Sequence, residues 1–176
     1  MDRAIRDDIV LVDPEDRAIG VAPKRTVHLL GLRHRAFSIL LRDDIGRVLL
    51  QRRAADKYHS GGLWANSCCG HPQPGETTPD AAARRLHEEL GVHATLNHAG
   101  TFTYRAVVGE TMIEHELDHV FVGTAAGEIV PDPKEISAIA WTSVDELAAD
   151  LRANPHRYAP WLQDVLRIGA LADGLD

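Results

Sequence analysis

The stretch Asn66-Ser67-Cys68-Cys69-Gly70-His71-Pro72-Gln73-Pro74-Gly75-Glu76-Thr77-Thr78-Pro79-Asp80-Ala81-Ala82-Ala83-Arg84-Arg85-Leu86-His87-Glu88-Glu89-Leu90-Gly91-Val92 decides how this chain is read. Its second half carries the punctuation of a helix: Thr78 as N-cap, Pro79 at the first position, Asp80 in the first turn and Gly91 just past the end. Glu88 and Glu89 fall in the last turn, where a carboxylate faces the negative end of the macrodipole at about 0.3–1 kcal/mol each. Arg84–Glu88 and Arg85–Glu89 pairs one turn apart offset part of that. A local rule broken twice at one spot still points to function. In the first half, Pro72 biases His71 toward extended geometry. An extended segment sends Cys69 and His71 to one side and Cys68 to the other. Adjacent cysteines are ordinarily small buried hydrophobes. Cys68 is read that way, whereas Gly70 and His71 beside it mark Cys69 as a candidate for chemistry.

Upstream, Asp8–Val12 and Ile19–Ala22 read as a hairpin around Pro14-Glu15-Asp16. Phe37–Leu41 and Val48–Arg52 are apolar strands joined by the turn residues Asp43-Asp44-Ile45-Gly46. Residues 54–77 are rich in Gly, Pro, Ser and His with no apolar period, and so long a connection is usually functional. Downstream, strands are expected over Thr101–Val107 and Ile113–Val122 with a bend at Val108-Gly109-Glu110, then over Ala138–Thr142. Ser143 caps a helix over Val144–Leu151, and a last helix is expected over Tyr158–Ala170. Strands flanking one central helix give an α/β or α+β sandwich, not a repeating βαβ array.

The 176 residues suit a single domain, 1–176, that buries roughly 70% of its unfolded surface. A net charge of −7 argues against a nucleic-acid surface, which needs a basic face. Met1–Asp8 is charged throughout and does not read as a signal peptide, and no run is long and apolar enough for a membrane span. The only two cysteines are neighbours, so no disulfide framework exists, and a reducing cytoplasm is the expected setting.

Within Ile113-Glu114-His115-Glu116-Leu117-Asp118-His119, a strand would put three carboxylates on one face. That face is either solvated or built around a cation, because like charges so spaced repel. His115 and His119 fall on the other face and read as packing. With His71, the upstream His28 and His34 and the Glu114/Glu116 pair make five N/O ligands suited to Mn²⁺, Mg²⁺ or Zn²⁺. Arg52, Arg53 and Lys57, at a strand end, are either solvated cations or a clamp for an anion.

Gly70–Val92 resembles the Nudix box, a loop–helix–loop that grips a diphosphate through magnesium, with Arg84-Arg85 where hydrolases carry Arg-Glu. Together with His34-Arg35-Ala36-Phe37-Ser38, Trp64–Pro72, Glu89-Leu90-Gly91, Tyr104-Arg105, Ile113–Glu116 and Pro160-Trp161, it resembles type I isopentenyl diphosphate isomerases, from about Leu11 to Trp161. The resemblance implies a Nudix-type α/β/α sandwich with a mixed sheet, and the interconversion of isopentenyl and dimethylallyl diphosphates. It implies Cys69 as catalytic thiol opposite Glu116, Tyr104 near Glu116, and Trp161 over the apolar cavity. It also implies one divalent metal on His28, His34, His71, Glu114 and Glu116, a substrate-bound Mg²⁺ helped by Glu89, and diphosphate contacts from Lys24, Arg53, Lys57 and Arg85. The chain departs from the pattern twice: His28 stands one residue closer to His34 than is usual, and Gly61 replaces a common Pro, which would loosen that loop. The expected partner is a small diphosphate, with no nucleic acid or membrane, acting on a monomer. A pyrophosphohydrolase is the main alternative, disfavoured by Arg85 and by Cys69-Gly70-His71. A metal-stabilised binding module is a second, and it leaves Glu88-Glu89 unexplained.

Overall fold

The computed structural model describes residues 7–171, so both ends of the expected 1–176 domain lie outside the described residues. Strands β1 (Asp8–Val12) and β2 (Ala18–Pro23) form the expected antiparallel hairpin, with Val10 opposite Val21. Helix α1 (Lys24–Leu30), which the sequence reading leaves unassigned, follows at once. It has no side-chain N-cap, buries only Val27 and His28 and exposes Leu29 and Leu30, so no apolar period announces it. Gly31 ends it at φ 62°, and a Cβ there would lie 3.0 Å from Ile113 Cγ2.

The chain continues through β3 (His34–Arg42) and β4 (Val48–Arg53) into the stretch expected to be structureless. That stretch contains β5 (Trp64–Ala65) and β6 (Cys68–Gly70), a correction that comes from pairing. β6 lies antiparallel on β3, with Cys69 opposite Ser38, and β5 lies on β4. Strands this short are specified by partners elsewhere in the chain, which local composition does not reveal.

Helix α2 (Thr78–Leu90) ends at Gly91 as expected, but its N-cap is Thr77 rather than Thr78. The Ala81 N–H that Thr78 would have capped already closes the first helical bond on the Thr77 carbonyl at 3.0 Å, while the Asp80 N–H reaches Thr77 Oγ1. Strands β7 (Leu96–Val108) and β8 (Met112–Thr124) then pair antiparallel around the expected bend, each longer than its sequence core. β9 (Ile136–Thr142) pairs with β4, and α3 (Val144–Ala153) opens on a Ser143/Glu146 capping box.

The last helix, α4, spans Leu162–Leu171 and not Tyr158–Ala170. Pro160 disfavours helical geometry at Ala159 and offers no N–H, so Tyr158-Ala159 stays extended along Trp64, with the Ala159 N–H on the Trp64 carbonyl at 2.8 Å. That run carries Trp161 into the molecule.

One mixed sheet joins the nine strands, with β3 parallel to β8 from His34 opposite Glu116 to Arg42 opposite Thr124. Alternation along β3 divides the core. Phe37, Ile39 and Leu41, with Leu49, pack on Ala81, Ala82, Leu86 and Leu90 of α2. Leu40, with Val48, Leu50 and Val120, packs on Leu162, Val165 and Leu166 of α4. The expected α/β/α sandwich with a mixed sheet is what forms.

Candidate active site

Of the two readings open for the carboxylates of β8, the solvated face is excluded. Glu114, Glu116 and Asp118 are 1%, 8% and 1% exposed. Buried carboxylates demand compensation, and the sheet register supplies it. Glu116 sits between His34 on β3 and Tyr104 on β7. The Tyr104 hydroxyl donates to Glu116 Oε2 at 2.7 Å, and His71 Nε2 and His34 Nε2 lie 3.0 and 3.5 Å from Glu116 Oε1. Glu114 is approached by His28 at 3.2 Å, His34 at 3.5 Å and His59 at 2.6 Å. Asp118 accepts from the Ser38 hydroxyl at 2.7 Å.

This packing sets the protonation states. Burial pulls the His34 imidazole down, but the Glu114 and Glu116 carboxylates 3.5 Å away win and raise it to about 10. Burial lowers His71 to about 4 against the pull of Glu116. Burial raises Glu114, yet His28, His34 and His59 together hold it well below the ordinary carboxylate range. For Glu116, burial and the Glu114 charge push up, and His34 and His71 outweigh them. Two adjacent anions are thus kept ionised in a buried place, an arrangement that asks for a cation.

The donor atoms fit one. His28 and His34 each donate Nδ1–H to a backbone carbonyl, Lys24 at 2.8 Å and Leu32 at 2.9 Å, which turns Nε2 toward the carboxylates, where a metal would take the place of the proton that His34 carries. Both Nε2 atoms and Glu114 Oε2 are buried without a hydrogen-bond partner. One ligand atom from each of His28, His34, His71 and Glu114 lies within 4.8 Å of the others, and Glu116 flanks them. The short spacing from His28 to His34 does not remove His28, because α1 turns it inward. These residues can hold a divalent ion. His115 and His119 stay outside the group: His115 Nδ1 lies 3.0 Å from the Gly31 carbonyl, and His119 pairs with Asp16 at 2.8 Å.

Beside this group lies a cavity of about 490 Å³, whose lining includes Cys69, His71, Tyr104, Glu114, Glu116 and Trp161. Cys69 and Cys68 part company as expected: Cys68 is buried against α2, whereas Cys69 lines the cavity. Burial pushes the Cys69 thiol up to about 12 although Arg53 pulls the other way, so it is a neutral thiol at neutral pH. Trp161 is held by its indole N–H on Asn66 Oδ1 at 3.0 Å, with the Arg53 guanidinium 5.6 Å from its ring centre.

The same cavity is lined by Lys24, Arg53, Lys57 and Arg85, with Arg53 Nη1 3.9 Å from Cys69 Sγ. Burial, then the like charge of Lys57, lowers the Lys24 ammonium, so these cations crowd one another and favour an anion. Arg52, by contrast, is exposed and donates to the Gly62 carbonyl at 3.0 Å, away from the cavity. Arg85 reaches Glu89 and lies 2.9 Å from Glu88, and Arg84 lies 3.3 Å from Glu88, so the expected helix pairs form. Glu89 is buried and also accepts from Gln51 Nε2 at 3.2 Å.

Sequence reasoning missed His59, Tyr58, Gln51 and Glu135. Glu135 pairs with Lys57 and lies 3.5 Å from Arg85, between the cations. The only signal for His59 was its place in the Gly- and Ser-rich run before Trp64. Gly61 does not loosen that run: a Cβ there would lie 2.4 Å from the Ala55 carbonyl oxygen, so the backbone is tightly closed.

Comparison with known proteins converges with this geometry. The NUDIX domain family model matches residues 32–165. The chain is 50% identical over 166 residues to an isopentenyl-diphosphate Delta-isomerase of Nocardia farcinica, covering 93% of this chain and 95% of that one. It is 47% identical over 159 residues to the protein of the same name from Serratia proteamaculans, covering 90% and 89%. Among solved structures, a Deinococcus radiodurans protein superposes with a TM-score of 0.76 at 20% identity, covering 92% of this chain and 98% of that one. A MutT protein from Methanosarcina mazei does so with a TM-score of 0.65 at 20% identity, covering 80% and 95%. The last two share the fold.

Proposed function

The chain belongs to the isopentenyl-diphosphate Delta-isomerase family of NUDIX-domain proteins, and from that premise we propose how its residues carry the reaction. The enzyme interconverts isopentenyl and dimethylallyl diphosphates, moving a carbon–carbon double bond by one position. One group must deliver a proton to the terminal alkene carbon, giving a tertiary cation, and another must take a proton from the neighbouring methylene. Cys69, a neutral thiol, has a proton to give; Glu116, ionised and steadied by Tyr104, can take one. The reverse direction uses the same pair. The face of Trp161 stabilises the intermediate cation by ~2 kcal/mol when water is excluded. Lys24, Arg53, Lys57 and Arg85 grip the diphosphate and fix where the five-carbon unit lies.

His28, His34, His71, Glu114 and Glu116 would hold Mn²⁺, Mg²⁺ or Zn²⁺, and Glu89 would help hold Mg²⁺ that arrives with the diphosphate. With an ion bound, the charge of Glu114 and Glu116 would be neutralised and the carboxylate of Glu116 held in place. The working unit in this reading is a monomer. The need for a free Cys69 thiol supports a reducing, cytoplasmic setting. No described helix is long and apolar enough to cross a membrane.

The observation that carries this reading is the meeting, in one cavity, of a neutral half-buried thiol, a buried carboxylate and four cations. Cys69→Ala should lower turnover at least about 10²–10⁴-fold with the fold retained, whereas Cys68→Ala, which only thins the α2 side of the core, should stay active. Steady-state assay of both variants beside circular dichroism checks this. Equal activity in the two would remove Cys69 from the chemistry.

A further inference from the structure

We propose that His59 is a positioning residue that pins the carboxylate of Glu114 for the divalent ion. The proposal rests on the reading that the His/Glu group binds such an ion. His59 Nε2 lies 2.6 Å from Glu114 Oε1, closer than either His28 or His34. Its surroundings differ from theirs. Backbone carbonyls accept the Nδ1–H of His28 and His34, which turns Nε2 toward the carboxylates, where a metal would bind. His59 Nδ1 instead faces the Ser60 hydroxyl at 3.3 Å, which can donate or accept. Its Nε2 lies against a carboxylate oxygen, which can only accept, so that nitrogen is engaged with Glu114 and is not offered to a metal.

The loop that carries the imidazole is tied down through its backbone. The Arg53 N–H bonds the Leu63 carbonyl at 2.9 Å, the Gly62 N–H bonds the Arg53 carbonyl at 3.0 Å, and Arg53 Nη2 donates to the His59 carbonyl at 3.1 Å. Gly61 fits against Ala55 only because it lacks a Cβ. The ring of His59 meets Trp161 edge-on at 6.2 Å, so one side chain spans from Glu114 to the wall of the cavity. Arg53 belongs to the diphosphate grip, and the loop it closes thereby ties that grip to the metal carboxylate. Groups that orient a metal ligand in this way are worth about 10–100-fold in metal affinity.

The test titrates Mn²⁺ by calorimetry into the full chain stripped of metal, as wild type, His59→Ala, His59→Gln and His71→Ala. Circular dichroism checks the fold of each. His71→Ala should lose most binding, which tests the metal site itself. His59→Ala should bind about 10–100-fold more weakly than wild type. His59→Gln, which keeps an N–H at similar reach, should recover most of that loss. X-ray absorption of the zinc-loaded proteins should count the same number of imidazoles in wild type and His59→Gln. Wild-type affinity in His59→Ala, with loss in His71→Ala, would overturn the proposal while leaving the metal site standing. Failure of His59→Gln to recover affinity, or one imidazole fewer in it, would overturn it by making His59 a ligand. Full binding in His71→Ala would sink the metal site and this proposal with it.

Discussion

Asp118 is the most electrostatically unusual of the three carboxylates on β8. Burial, and then the charge of Glu116, push its carboxyl well above the usual range, and Ser38 only partly opposes them. Its Oδ1 is buried without a partner. Below about pH 3.9 the group is protonated in folded and unfolded chains alike and contributes nothing to the difference between them. As pH rises through that value the unfolded chain ionises first, so the raised folded value destabilises the protein increasingly toward neutral pH. Asn has the same shape and no charge. Stability of metal-free Asp118→Asn relative to wild type, measured by urea unfolding, should therefore move in favour of the variant between pH 5 and pH 7.5. A difference that stays flat or moves the other way would show that Asp118 is ionised in comfort. Alternation within Ile113–His119 put the three carboxylates on one face, and this was legible from sequence. Their burial was not, because it depends on His34, Tyr104 and Ser38 arriving from β3 and β7.

Elements differed in how much of their own specification they carry. Helix α2 contains its stop signal and its dipole conflict, so it was readable to within one residue at its start. That residue is testable: Thr77→Ala should cost about 1 kcal/mol in chemical denaturation, whereas Thr78→Ala, inside the helix where Ala is the better former, should be neutral or stabilising by a few tenths of a kcal/mol. The opposite order would restore Thr78 as the cap. Pro160 held the information needed to start α4 at Leu162, since the extended Tyr158-Ala159 run follows from it. Helix α1 offered no such handle, having neither cap nor apolar stripe. It matters all the same, because it delivers both Lys24 and His28 to the site. Strands β5 and β6 owe their existence to β4 and β3, so the run before Thr77 looked structureless when read alone.

Across the whole molecule, the sandwich brings the proposed proton-exchanging pair and the proposed diphosphate grip to one cavity by combining segments from both ends of the chain. Cys69 comes from β6, Glu116 from β8, Trp161 from the approach to α4, and the cations from α1, β4, the loop after it, and α2. Family motifs made most of these residues legible. His59 and Glu135 stayed hidden because each acquires meaning only through a partner distant in sequence, Glu114 for one and Lys57 with Arg85 for the other. The central claim is that this NUDIX scaffold holds a diphosphate intact while Cys69 and Glu116 exchange protons with carbon. Incubating the metal-loaded enzyme with isopentenyl diphosphate in heavy water and following carbon-bound deuterium and phosphorus by NMR tests it most directly. Dimethylallyl diphosphate should form with deuterium in a methyl group and the diphosphate unbroken. Release of phosphate or pyrophosphate with no deuterium entering carbon would contradict the claim.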